Sequence, residues 1–128
     1  MIELTLPWPP TVNTYWRMWR NRMVISDGGR KYRKAVWEQV IQQALGKRVR
    51  NRAVVTIQAF RPDNRRRDLD NLLKAVLDAL TAAEVWDDDS QITDLRIYWG
   101  PDIGGYLKVS IVDTGEDDDG RDQSRTSD

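Results

Sequence analysis

Residues 53–80, AVVTIQAFRPDNRRRDLDNLLKAVLDAL, hold the pattern on which the fold turns. AVVTIQAF is an apolar, β-branched run of strand length, and the RPDN after it is turn chemistry that closes a strand. From about residue 70 to 83 the period changes to that of a helix, with Leu73, Val76, Leu77 and Leu80 on the stripe to be buried. A strand, a basic loop and an amphipathic helix therefore follow one another without a break. At their junction Arg65, Arg66 and Arg67 run straight into Asp68 and Asp70. The crowding reads in two ways: a capped helix start with surface ion pairs, or phosphate-gripping arginines beside a carboxylate metal site.

Upstream, IELTL alternates with Ile2, Leu4 and Leu6 on one side, and the prolines of PWPP stop it. TVNTYWRMWRNRMVISDGGR reads as a loop or a loose hairpin that mixes bases with Tyr15, Trp16 and Trp19. A helix is expected over about residues 29–45, on the spacing of Tyr32, Val36, Trp37, Val40, Ile41, Ala44 and Leu45. Ser26 or Asp27 suits its cap, and Gly46 suits the position past its end. Downstream, VWDDDSQ is a tight acidic loop. ITDLRIYW alternates, with Leu95, Ile97 and Trp99 on one face, and GYLKVSIV repeats the pattern with Leu107, Val109 and Ile111. GPDIGG between them reads as a hairpin connection. The order β-α-β-α-β-β predicts an α/β (α+β) fold, one domain over residues 1–113 with a four-stranded mixed sheet covered on one face by two helices. Residues 114–128 read as an acidic, disordered tail, since from Gly115 onward no aliphatic or aromatic residue occurs. Trp37, Trp86 and Trp99 are expected in the core, with Trp16 and Trp19 open to either core or base-stacking roles.

The chain has 128 residues and neither cysteine nor histidine. Disulfides, thiolate metal sites and imidazole catalysis are thereby excluded, so any metal must sit on oxygen ligands, which favours magnesium or manganese over zinc. The N-terminal MIELTLPWPP lacks a basic region followed by a long apolar run, and no segment reaches the apolar length of a membrane span, so a cytoplasmic protein without membrane contact is expected. The formal net charge of zero hides a division along the chain. Between residues 14 and 67 fifteen Lys/Arg face three acids, a net of +12. Between residues 68 and 94 eight acids face Lys74 alone, a net of −7. A polyanionic partner held by the first stretch and a carboxylate-rich centre in the second would account for this; so would two solvated faces of opposite sign.

Within the acidic stretch, Asp70 stands where a helix N-cap belongs, and capping alone would explain it. Capping does not explain the pair. Two carboxylates about 4 Å apart repel by roughly 1 kcal/mol in water and about 4 kcal/mol at a surface-like dielectric, so something positive should stand nearby. Asp87, Asp88 and Asp89 form a second acid run, which a turn tolerates as a solvated segment and which could also converge on Asp68. Lys74 follows Asp70 by one helical turn, as a surface ion pair or as a cation for a phosphate transition state. Asp78, one turn further on, fits the ion-pair reading better. Arg17, Arg20, Arg22, Arg30, Lys31, Arg33 and Lys34, with Arg65, Arg66 and Arg67, make a candidate track for a nucleic-acid backbone. Tyr15, Trp16 and Trp19 could stack on exposed bases there.

LPWPP with nearby Asn13, RPDNRRRDLDNLLKAVLDAL and VWDDDSQITDLR together resemble the RusA-type Holliday junction resolvases, over nearly the whole chain to about residue 113. The resemblance implies a homodimeric, magnesium-dependent endonuclease of bacteria and phages that cuts four-way DNA junctions by paired symmetric incisions in recombination and repair. By motif it places the metal ligands on Asp68, Asp70 and Asp89, with Asp88 as a further candidate, and the catalytic lysine on Lys74. Manganese is the alternative ion. Two rival readings stand beside it. One is a non-catalytic protein that binds branched nucleic acid, such as a degenerate prophage copy. The other is a nucleotide phosphohydrolase, for which the chain lacks a glycine-rich phosphate loop.

Overall fold

Alternation puts Ile2, Leu4 and Leu6 inside and Glu3 and Thr5 outside, so the first strand, β1 (Ile2–Pro7), lies flat on one apolar face. The computed structural model describes residues 1–117. After β1 come a single helical turn α1 (Val12–Tyr15), a hairpin of β2 (Trp16–Trp19) and β3 (Arg22–Ile25), and helix α2 (Asp27–Ala44). Then follow β4 (Ala53–Phe60), helix α3 (Leu69–Ala82), a 3₁₀ turn (Asp89–Gln91), β5 (Ile92–Trp99) and β6 (Tyr106–Asp113). The four-stranded mixed sheet is present as expected, in the order β1-β6-β4-β5. The residues read as a loop or a loose hairpin hold the hairpin, β2 and β3, and one helical turn besides, α1.

Strand pairing corrects one expectation. GPDIGG does not join neighbours in a hairpin, because β4 lies between β5 and β6. β5 runs parallel to β4 through the α3 crossover, with Val55 opposite Leu95 and Ile57 opposite Ile97. The other edge of β4 is taken by β6, antiparallel, with Ile57 opposite Val109. The connection therefore crosses the end of β4, bonded through Gly100 N to the Ala59 carbonyl at 2.8 Å and Gly105 N to the Phe60 carbonyl at 2.7 Å. It lies against the stacked rings of Phe60 and Tyr106, where a Cβ on Gly100 or Gly104 would collide with an aromatic edge.

One sheet face carries Leu4, Leu6, Val55, Ile57, Leu107 and Ile111 against Val36 and Val40 of α2 and Leu72, Val76 and Leu80 of α3. Trp86 is fully buried beside them. Of the other two tryptophans expected there, one packs at the margin of the core and one departs from it. Trp99 is half-buried and stacked on Trp8 at 6.4 Å. Trp37 is 50 % exposed, and Ile41 and Leu45 lie outside with it. A helix resting on a sheet buries a stripe little wider than 100°, which Tyr32, Val36, Val40 and Ala44 already fill. Leu95 is likewise exposed, on the edge strand β5.

Ser26 caps α2 by accepting from Gly29 N at 3.0 Å, and its hydroxyl donates to the carbonyls of Thr14 and Tyr15. The hairpin root is thus tied to the helix start. Glycine is required at 29, where a Cβ would stand 2.5 Å from the Tyr15 carbonyl. At the other end Gly46 takes φ +79°, as its place past the helix predicts. Near the C-terminus Thr114 and Glu116 are held by backbone bonds to Arg52. Residues 118–128, the greater part of the expected acidic tail, lie outside the described residues.

Candidate active site

The N-cap of α3 lies two residues before the expected one: it is Asp68, not Asp70, which falls in the first turn. Asp68 makes no side-chain capping bond. A residue type favoured for capping occupies the cap with its carboxylate unused.

The neighbouring arginines do not pair with it. Asp63 draws them back instead, accepting from Arg65 Nη2 at 3.1 Å and Arg67 Nη1 at 2.7 Å, while its Oδ1 also takes the backbone N–H of Arg65 at 2.9 Å. These bonds, Arg67 first and Arg65 second, hold the Asp63 carboxyl far below the usual carboxylate range. Arg67 also lies over the Trp8 ring at 5.8 Å. Two of the three arginines thus order the loop, and among the described residues Arg66 alone of the three has no partner.

α3 next presents Leu73, Lys74, Leu77, Asp78 and Thr81 to a cleft. Val12, Trp16 and Met23 from α1 and the hairpin form one wall, and Asp88 and Asp89 form the other. Asp70 precedes Lys74 by one turn on the same helix stripe. Asp68 opens instead into an adjoining recess with Trp8, Thr11, Arg66 and Asn71. Lys74, Asp88 and Asp89 therefore meet at one cleft with Asp70 in line, while Asp68 stands round the helix end. Among the described residues no three acids are gathered into a ready-made metal cage.

The acid run divides by role. Asp87 pairs with Arg48, which also reaches Glu84 at 3.4 Å. Asp88 caps the 3₁₀ turn through Ser90 N at 3.3 Å, and the bonds from Ser90 hold its carboxyl below the usual range. The side chains of Asp68, Asp70, Lys74 and Asp89 have no hydrogen bond or ion pair among the described residues. Asp78, assigned to an ion pair from sequence, has one, with Arg33 rather than Lys74: Arg33 Nε donates to Oδ2 at 2.8 Å and Nη2 to Oδ1 at 3.0 Å. Arg33 is accordingly committed inside the protein and is no free cation of the basic track.

Gln91 is the residue whose role sequence reading missed. It is 2 % exposed and uses its whole amide: Oε1 accepts from Asp87 N and Asp88 N, and Nε2 donates to the carbonyls of Val49 and Asn51. It fixes the turn that carries Asp89. A glutamine three residues past the first of a pair of aspartates was the available signal, as one half of a capping box.

Of the candidate DNA contacts, Arg17, Arg20 and Arg22 stand exposed on the β2–β3 hairpin, with Arg20 stacked on Trp19 at 4.4 Å. Arg20 and Asn21 both have positive φ, the mark of a tight primed turn. Arg30 pairs with Asp27 at the surface, and Lys31 is exposed. Trp16 packs edge-on to Tyr15 at 4.9 Å, while Trp19 is 43 % exposed. The two open cases thus separate, Trp16 against the core and Trp19 outside it.

The carboxylates present are hard oxygen donors, and those without partners are free to take a divalent ion, so the donor set fits magnesium or manganese. With no three acids pre-gathered, the fit needs oxygens from outside the chain, such as water and substrate phosphate.

Comparison with known proteins gives a consistent result. The sequence profile of the family Endodeoxyribonuclease RusA matches residues 7–111. A crossover junction endodeoxyribonuclease from Enterobacteria phage HK97 is 42% identical over 112 residues, 87% of this chain and 93% of its own. The enzymes of that name from Shigella sonnei (strain Ss046) and Escherichia coli (strain K12) are 42% and 41% identical over 116 residues, 90% of this chain and 97% of theirs.

Proposed function

The chain belongs to the RusA family of endodeoxyribonucleases, and from that premise we propose that it resolves four-way DNA junctions by paired, symmetric hydrolysis of phosphodiester bonds. The observation that carries the proposal is the cleft lined by Lys74 and Asp89, with Asp70 in line on α3, all three without a side-chain hydrogen bond or ion pair among the described residues. Asp63, Asp78 and Asp87, by contrast, are paired with arginines.

Asp70 and Asp89, joined by Asp68 from the recess at the helix end, would hold the divalent ion, magnesium first and manganese as its substitute, with Asp88 close by but occupied as a cap. When bound, such an ion polarises the scissile phosphate and lowers the pKa of an attacking water. Lys74 supplies positive charge to the phosphoryl oxygens as they gain charge in the transition state. Leu73, Leu77 and Trp16 line the cleft with apolar surface that limits water around these charges. Arg17, Arg20 and Arg22 on the hairpin, Arg30 and Lys31 on α2 and Arg66 before α3 bind phosphates of the junction arms. Arg65 and Arg67 serve that surface by shaping its loop around Asp63.

One cleft per chain and two incisions per junction call for a two-fold homodimer. The setting is recombination and repair in the cytoplasm of a bacterial or phage-infected cell, and no described helix is long and apolar enough to cross a membrane.

The test is incubation with a synthetic four-way junction, with and without magnesium, beside a linear duplex. Symmetric nicks on the junction alone, and only with the ion, are the expected result. Binding without nicks under any divalent ion would leave a non-catalytic branch-binding protein instead.

A further inference from the structure

α3 adds a third acid to the cleft lining beside Asp88 and Asp89, and both its oxygens are taken. Asp78 lines the same wall as Lys74, one helical turn after it, opposite Asp88 and Asp89. A Lys and an Asp four residues apart on a helix are natural partners, yet no ion pair joins Lys74 to Asp78 among the described residues. Both Asp78 oxygens are taken from the other side. Arg33 of α2 grips them in a two-pronged pair at 2.8 and 3.0 Å, and the Tyr15 hydroxyl also donates to Oδ2.

The grip is built from groups with little freedom to leave. Tyr15 is fully buried, and Ser26 holds its carbonyl at 2.9 Å. Burial first, and the Asp78 carboxylate second, raise the Tyr15 phenol well above its ordinary value, so the hydroxyl stays protonated and remains a donor. Arg33 approaches from the start of α2, the helix that Ser26 caps. One cluster therefore joins α1, α2 and α3 immediately behind the cleft.

We propose that Arg33, with Tyr15, is a positioning residue that holds Asp78 away from Lys74, leaving the lysine free for the DNA phosphate. Without Arg33 the carboxylate turns toward the nearest cation on its own helix face, and Lys74 is captured. This inference rests on the catalytic role proposed for Lys74 only in its effect on rate; the capture itself is a property of the free protein.

Two measurements separate these parts. The first labels Lys74 with an amine-reactive acylating reagent in the absence of DNA and follows its rate by mass spectrometry. Arg33→Met should slow labelling of Lys74 several-fold relative to Lys31, and Arg33→Met with Asp78→Asn should restore it. The second is single-turnover cleavage of a four-way junction. Arg33→Met should cut roughly ten-fold more slowly with little change in junction affinity, and adding Asp78→Asn should recover most of the loss, although it removes a second native group. Arg33→Lys, which keeps the charge but loses the two-pronged geometry, should fall between and covers the case in which Arg33→Met folds poorly.

A double variant as slow as or slower than Arg33→Met, in both labelling and cleavage, would overturn the proposal, since a merely structural role predicts additive damage. Unchanged Lys74 labelling in Arg33→Met would overturn it as well. Labelling that slows and recovers while cleavage stays constant would uphold the capture and remove Lys74 from catalysis.

Discussion

The two ends of α3 use the same residue type in opposite ways. At the C-terminal end Glu84 and Asp87 share Arg48, Asp88 caps a turn, and the buried amide of Gln91 ties that turn to the segment before β4. At the N-terminal end Asp68 and Asp70 stand within a few residues of three arginines and bond to none of them. Proximity in sequence would pair the second set more readily than the first. The difference teaches that charge density does not mark the candidate site. What marks it is carboxylates left without partners where partners were at hand, because Asp63 has drawn the arginines away.

The largest test of this contrast is Asp70→Asn. Cleavage should fall below detection while junction binding holds or tightens, since one change removes the proposed metal ligand and a repulsive charge. Parallel gel-shift and cleavage assays check it, and unchanged cutting would end the assignment. Chelation of the divalent ion should do the same to cleavage and leave the melting curve unaltered, because no described three-acid cluster depends on the ion for its shape. Lys74→Met should slow single-turnover cleavage by roughly 10²- to 10³-fold, the range seen when one charge-stabilising donor is lost.

Gln91→Ala crosses between the two ends. It leaves two N–H groups and two carbonyls short of a partner, and at about 1–3 kcal/mol for each group that stays dry the turn should loosen, so denaturant stability and cleavage fall together. Asp87→Asn should move neither cleavage nor stability appreciably, since its pair with Arg48 is exposed. The smallest effect is one of pH. The folded Asp63 carboxyl lies below its unfolded value, so its contribution is fully present above the ordinary carboxylate range and is lost as pH falls through the depressed value. An NMR titration of Asp63 should therefore show no step near pH 4, and a normal step there would mean that its arginines are free for DNA.

Local chemistry was the legible part of this fold. The alternation in β1 and β6, the apolar run of β4, the Ser26 cap and Gly46 after α2 all follow from neighbouring residues. Partner choice was not, because it depends on groups far apart in the chain. Nothing in GPDIGG says that β4 will come between the strands it connects. The β2–β3 turn carries Arg20-Asn21 in place of the usual glycine pair, so its hairpin signal was faint. At the site, spacing and family resemblance singled out Asp68, Asp70, Lys74 and Asp89. The diversion of Arg65 and Arg67 to Asp63, and of Arg33 to Asp78, needed the folded arrangement.

The sheet order also bears on how the protein is born. β6, the last strand, lies inside the sheet between β1 and β4. As the chain leaves the ribosome, Ile2 must wait for Ile111 before β1 has a strand beside it, and one edge of β4 stays bare until the same moment. Contacts of such long span form late. A nascent or truncated chain therefore presents the aspartates and the lysine without the sheet that backs them. The cell meets the assembled cutting surface only once synthesis has passed β6.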